Sequence, residues 1–303
     1  MPALICGSLA FDTITTFPGR FAEQILPDQV HILNVSFLVP TLRREWGGCA
    51  GNIAYNLQAL GGQPVIMAAL GVDGGEYLAR IEGWGADTSL IWRDAELHTA
   101  QCHITTDRDN NQITAFHPGA MSHAHKIALP PGRRDLAIGI IAPDGRDAMW
   151  SHAHQMHEAG IPFVFDPGQQ LPQFNGDEHR EILGLASWVA LNDYEARMFE
   201  ERTGQNLAAM SRRPNIRGVV VTLAAEGCEL WVDGQRTHVP GVKAAAVNDP
   251  TGCGDAFRAG MLYGLERGWT LERSVKLANR IGAIKIASRG PQNHSLEGVL
   301  EGA

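Results

Sequence analysis

The stretch Asn248-Asp249-Pro250-Thr251-Gly252-Cys253-Gly254-Asp255 joins a glycine turn to the helical run Ala256-Phe257-Arg258-Ala259-Gly260-Met261-Leu262 and plants a carboxylate at the junction. Gly252 and Gly254 let the backbone turn tightly enough for successive N–H groups to point into one concavity, and the unpaired N–H groups of a helix start favour an anion. Beside bound phosphate, Asp255 serves better as proton acceptor for an attacking hydroxyl than as a ligand for more negative charge. Arg258 follows roughly one helical turn later and faces either phosphate oxygens or solvent. Taken alone, Gly-x-Gly-Asp is equally a turn closed by an Asp cap. No Gly-Lys-Ser/Thr follows the glycines, which disfavours a Walker A loop.

Outward from this stretch, short apolar runs alternate with helical patterns. Leu4-Ile5-Cys6 precedes a helix around Ile53 to Leu60, then comes Val65 to Leu70, and later Ala137 to Ile141, Phe163-Val164-Phe165, Ser187 to Leu191 and Gly218 to Leu223. Apolar strands separated by helices imply a parallel sheet covered on both faces, with ligands beyond the carboxyl ends of its strands. Residues 13–46 and 88–118 break the rhythm: runs such as Ala100 to Thr105 and Gln112 to Phe116 suit antiparallel strands. A chain of 303 residues, 44% hydrophobic and without a linker-like block, reads as one α/β domain over 1–303.

A net charge of −8 supplies no basic field, so neither nucleic acid nor an anionic membrane is expected as partner. Five scattered cysteines without a Cys-x-x-Cys pair argue for reduced thiols. With no signal-like or membrane-length apolar run, the expected location is the cytoplasm. His123-x-His125 and His152-x-His154-x-x-His157 lack zinc-site spacing, and the second group is expected at solvated helix positions.

Three further turns carry polar side chains at strand or helix ends. Gly47-Gly48-Cys49-Ala50-Gly51-Asn52 opens the helix of Ile53, Leu57 and Leu60, and Asn52 offers a donor and an acceptor suited to a diol. Asp12 lies just past the first strand in Gly7-Ser8-Leu9-Ala10-Phe11-Asp12, able to accept two hydroxyl hydrogen bonds or to cap its loop. Asn192-Asp193-Tyr194-Glu195 follows the strand ending at Leu191 and fits a capping box.

The pattern Asp-x-Thr-Gly-x-Gly-Asp, matched at Asp249, Thr251, Gly252, Gly254 and Asp255, resembles the anion-hole motif of the ribokinase-like (PfkB) carbohydrate and nucleoside kinases, with Cys253 where many relatives carry Ala. Gly47, Gly48 and Asn52 resemble the family's Gly-Gly-x-x-x-Asn signature, and Asp12 its first-strand Asp. The resemblance implies a three-layer α/β/α sandwich with a mostly parallel central sheet, and a small β-sheet lid built from residues 13–46 and 88–118. It makes Asp255 the catalytic base and gives Asp12, Gly47, Gly48 and Asn52 to the acceptor. It gives Asn192 and Glu195 to ATP and magnesium, the latter through water. Thr222 and Gly227 resemble the phosphate loop Thr-x-Gly-x-x-Gly, although Ala224 replaces its first Gly. Asn279 and Gly290 fall on the adenine side, and Asp249 is the residue for the monovalent cation, potassium, that some members bind.

The segments Asn34 to Pro40 and Asn110 to Met121 look like those of bacterial adenosine and broad-specificity nucleoside kinases. Phe37, Phe116 and Met121 then supply apolar surface for a purine, and Gln101, His103, Gln169 and Gln170 groups for a base edge. The expected activity is transfer from ATP to the 5′-hydroxyl of a purine nucleoside, adenosine or else inosine or guanosine, by a monomer or homodimer. The alternatives are a sugar kinase acting on ribose or fructose and a non-catalytic nucleoside-binding regulator.

Overall fold

A computed structural model describes residues 2–25, 32, 34–109 and 111–301. In chain order the strands are β1 (Ala3–Cys6), β2 (Ala10–Thr16), β3 (Thr41–Gly47), β4 (Pro64–Leu70), β5 (Asp87–Arg93), β6 (Ala100–Thr106), β7 (Gln112–His117), β8 (Ile138–Ile141), β9 (Phe163–Phe165), β10 (Trp188–Asn192), β11 (Gly218–Thr222), β12 (Gly227–Val232) and β13 (Gln235–Pro240). The helices are α1 (Phe21–Gln24), α2 (Cys49–Ala59), α3 (Gly75–Gly83), α4 (Arg146–Glu158), α5 (Gly176–Leu185), α6 (Asp193–Thr203), α7 (Leu207–Ser211), α8 (Cys253–Leu265) and α9 (Leu271–Ile286).

Nine strands form one sheet in the order β13-β12-β11-β10-β9-β8-β1-β4-β5, parallel from β11 to β5, with β12 and β13 added antiparallel. Every residue of β1, β4, β8 and β9 is buried, as continuous apolar strands covered on both faces require. Alternation along β1 divides the core. Ala3 and Ile5 pack with Ile53, Leu57, Met261 and Ile281 of α2, α8 and α9, while Leu4 and Cys6 pack with Met149, Met156, Ile182 and Phe199 of α4, α5 and α6. Each such aliphatic side chain contributes about 1.5–3 kcal/mol by leaving water.

A second sheet has the order β3-β2-β6-β7, with β2 and β6 parallel and the outer pairs antiparallel. Its base is rooted in the core through Ala10, Phe11 and Asp12, and burial fades along β2 towards exposed Thr16. The sequence boundaries of this lid need correction. Residues 88–93 belong to β5, which pairs with β4 at the edge of the large sheet. Conversely, β2 begins at Ala10, earlier than expected. His152 also departs from the expected solvated position: α4 turns it inward, and it is 1% exposed. No helix among the described residues is long and apolar enough to cross a membrane.

Candidate active site

A cavity of about 430 Å³ opens where β10 and β11 end, lined among others by Cys49, Asp166, Asn192, Glu195, Thr222 and Asp255. Carboxyl ends of parallel strands and amino ends of α2, α6 and α8 meet there, the position where open α/β sheets bind ligands. Gly252 caps α8 in the left-handed region at φ 78°, and a Cβ on it would lie 2.6 Å from Pro291 Cβ, so the turn requires glycine. Asp255 then stands in the first turn of α8 with Gly254 beside it in the cavity wall.

Asp255 Oδ2 accepts a hydrogen bond from Asn52 Nδ2 at 2.8 Å. Desolvation raises its pKa to about 6, with Asp166 adding repulsion while Asn52, Arg258 and Cys49 act in the opposite direction. Asp12 is also raised to about 6, by burial first and then by Asp255, Glu45 and Asp249, with Arg43 opposing. The Asp12 carboxylate lies over Gly47, where a Cβ would fall 2.4 Å from its Oδ2. Asp12, Gly47, Asn52 and Asp255 are thus brought together. Behind them runs a buried relay: Gln292 Nε2 donates to Asn52 Oδ1 at 3.0 Å and to the Tyr77 hydroxyl at 2.7 Å, and Tyr77 donates to the Gly47 carbonyl at 2.7 Å.

Asn192 and Glu195 make the capping box, each side chain accepting from the other's backbone N–H at 2.7 Å. Burial and Asp166 raise the Glu195 carboxyl. Among the described residues no group of three or more His, Cys, Asp or Glu side chains could hold a metal. Glu195 in the cavity wall fits a magnesium ion that arrives with phosphate and keeps most of its water. Thr222 ends β11 in the wall, and Ala224 adopts φ 50° there, a left-handed conformation uncommon for a residue other than glycine. Gly227 has φ 98° at the end of that turn.

Arg258 is 5% exposed, so of its two expected settings the solvent-facing one is not found. Its Nε and Nη2 both donate to Asp166 at 3.0 Å in a buried bidentate pair, and the residue also lines the cavity. Asn279 is buried, its amide donating to the Pro240 carbonyl at 3.1 Å, and Gly290 N–H donates to Asp249 Oδ2 at 3.0 Å.

Register sorts the base-side residues. Asp12 lies opposite Glu45 and Cys102, and Cys102 opposite Phe116, so these share one lid face. Gln101 and His103 alternate to the other face, where Gln101 donates to Asp73 Oδ2 at 3.2 Å. They therefore do not join Asp12. Phe116 is 48% exposed, Met121 is buried against Ala10 and Ala100, and Phe37 packs with Phe17 and Phe21 at 4.9 and 5.0 Å between centroids. The three do not form the single cluster expected. Gln169 lines the cavity and Gln170 follows it in a 3₁₀ turn, Gly168–Gln173. Asn110, which opens one of the segments resembling nucleoside kinases, lies outside the described residues.

Sequence reasoning missed Asp166, Tyr77, Gln292, Arg43 and Lys285. Asp166 carried a usable signal, since it follows β9 at a carboxyl end facing the cavity. The others act through contacts between distant segments.

The family described as pfkB family carbohydrate kinase matches residues 20–297. A nucleoside kinase of Burkholderia thailandensis, solved in complex with inosine, is 44% identical, covers 97% of this chain and 94% of that chain, and superposes with a TM-score of 0.87. Its structure in complex with ADP-inosine gives 46% identity over 97% and 91%, with a TM-score of 0.84. The nucleoside kinase of Methanocaldococcus jannaschii is 28% identical over 86% of this chain and 85% of its own length. Its crystal structure, described as an archaeal member of the ribokinase family, covers 97% of this chain and 94% of that chain at a TM-score of 0.87. The ribokinase-like sandwich with a separate small sheet is therefore the fold found. With the match running over most of its length and the architecture shared along nearly all of it, the chain belongs to the pfkB family of carbohydrate kinases.

Proposed function

We propose that this protein transfers the γ-phosphoryl group of ATP to the 5′-hydroxyl of a purine nucleoside. The observation that carries the reading is the placement of Asp255, hydrogen-bonded to Asn52 within reach of Asp12 and seated at the N-terminus of α8. Asp255 takes the hydroxyl proton as the oxygen attacks, and the N–H groups of Gly252 and Gly254 face the charge that develops on the transferred group, while the Cys253 N–H closes the turn onto the Pro250 carbonyl at 3.1 Å. Asp12 and Asn52 hold the ribose hydroxyls. Magnesium, held through water by Glu195, would supply neutralisation of phosphate charge. Glu195 and Asn192 orient the phosphate end, and Asp166 holds Arg258 in the wall between the carboxylates.

A nucleoside fits better than a free sugar because Phe116 shares the lid face with Asp12 across two strand spacings, about 10 Å. That distance leaves a hydroxyl-bearing ring at the carboxylate and a planar base at the aromatic. The Burkholderia relative binds inosine, which supports a purine. A coupled ADP-release assay with adenosine, inosine, guanosine, ribose and fructose tests the reading. Turnover of a purine nucleoside well above both sugars is expected; ribose or fructose as the faster acceptor overturns it in favour of a sugar kinase, and binding without ADP release favours a regulator.

A further inference from the structure

Lys285 has no exposed surface although it lies in the last turn of α9. Its Nζ donates to the Asp249 carbonyl at 2.7 Å and to the Ser288 carbonyl at 3.3 Å. Both acceptors are main-chain carbonyls. Asp249 belongs to the loop that ends at Gly252, the cap of α8. The same loop is bound to the end of α9 at several points: Asn248 and Asp249 N–H donate to the Ile286 carbonyl at 2.8 and 3.1 Å, and Asp249 Oδ2 accepts from Gly290 N–H. The ammonium therefore sits at the centre of a junction between the anion-binding turn and a helix C-terminus, where carbonyl dipoles favour a cation.

Carbonyl oxygens around a buried positive charge are also the donor set of a potassium ion. Here that set is not available to one. The Asp249 carbonyl is taken by Lys285, the Asp249 carboxylate holds Gly290, Thr251 and Arg43, and a second cation would meet the ammonium at contact distance. We propose that Lys285 is a tethered substitute for a monovalent cation, a positioning residue that fixes the Asn248–Gly252 turn so that this protein works without potassium. The charge acts on the loop and, through it, on the N–H groups of Gly252 and Gly254 offered to the transferred phosphoryl group.

The activity arm of the test rests on the phosphotransfer reading; a thermal arm does not. Wild-type protein is assayed at constant ionic strength in potassium, ammonium or tetramethylammonium chloride. Expected are equal kcat and equal Tm in all three. In Lys285→Ala, kcat falls roughly tenfold or more, as when preorganised charge is removed from a site. Potassium or ammonium, but not tetramethylammonium, then restores kcat and raises Tm saturably. Activation of the wild type by potassium overturns the proposal, whether or not the variant folds. So does a folded variant with unchanged kcat, or one that potassium and ammonium do not rescue. If no acceptor is turned over, the nucleoside reading fails separately, and the ion dependence of Tm in the two proteins still decides the role of Lys285.

Discussion

Asn52 donates to Asp255 Oδ2 at 2.8 Å while its own carbonyl oxygen accepts from Gln292 at 3.0 Å. The amide is thereby oriented from behind, with its Nδ2 turned to the carboxylate. A hydrogen bond donated to the ionised form lowers a carboxyl pKa, and this one opposes the burial that raises Asp255 to about 6. Asn52→Ala removes it. The acid limb of the kcat profile should move to higher pH than in wild type, in addition to any loss of acceptor affinity. A pH–rate series on both proteins checks this, and an unmoved limb would show that the contact does not tune the base.

Asp255→Asn keeps the shape and one acceptor but cannot take a proton. Turnover should fall roughly 10²–10⁴-fold, the range for losing a positioned general base, with binding of both substrates retained. Calorimetric titration beside steady-state kinetics separates the two effects. Near-normal turnover would remove Asp255 from the role of base.

Asp12 is 9% exposed and lies over Gly47 on the acceptor side. Asp12→Ala should weaken the nucleoside by about 1.5–3 kcal/mol, the worth of a charged hydrogen bond, and leave ATP nearly unaffected. Isothermal titration with each ligand alone reads the difference; a larger loss for ATP would reverse the two ends of the site.

The residues legible in the sequence were those whose role is local. Asn192 and Glu195 announce their capping box by spacing alone, and the turn at Gly252 announces itself by glycine content. The buried runs of β1, β4 and β8 likewise show that both sheet faces are covered. What stayed hidden depends on long-range geometry. Arg258 reads as facing either phosphate or solvent because nothing near it in sequence reveals Asp166, 92 residues away, as its partner. Gln101 and His103 were misplaced because the face of a strand that meets ligand is fixed by register with β2, which composition does not give. Lys285 looks like any helical lysine until the fold closes carbonyls around it.

Phe116 is exposed on the lid face that carries Asp12, which is the condition for stacking on a bound base. Base–aromatic stacking contributes about 1–3 kcal/mol. Phe116→Ala should lower kcat/KM for a purine nucleoside accordingly while leaving any slow turnover of ribose nearly unchanged. An equal loss for both acceptors would assign Phe116 to lid folding instead of base recognition.

Asp144 is 1% exposed; its Oδ1 accepts from Gly145 N–H at 2.8 Å, and its Oδ2 has no partner among the described residues. Burial raises its pKa to about 8. Between an unfolded value of about 3.9 and this folded value, the native state keeps a proton that the unfolded chain has lost. Its contribution to stability is therefore complete below about pH 4, declines as pH rises, and is gone above about pH 8. An asparagine side chain at this position would carry no charge in either state and would place an unpartnered NH2 where the protonated carboxyl has an unpartnered O–H. Asp144→Asn should accordingly match wild type near pH 4 and become progressively more stable relative to it up to pH 8, by a few kcal/mol in order of magnitude, with a constant difference beyond. Urea unfolding of both proteins at pH 4, 6, 8 and 9 measures the difference. A gap that is independent of pH would mean that the buried carboxyl does not titrate in this range.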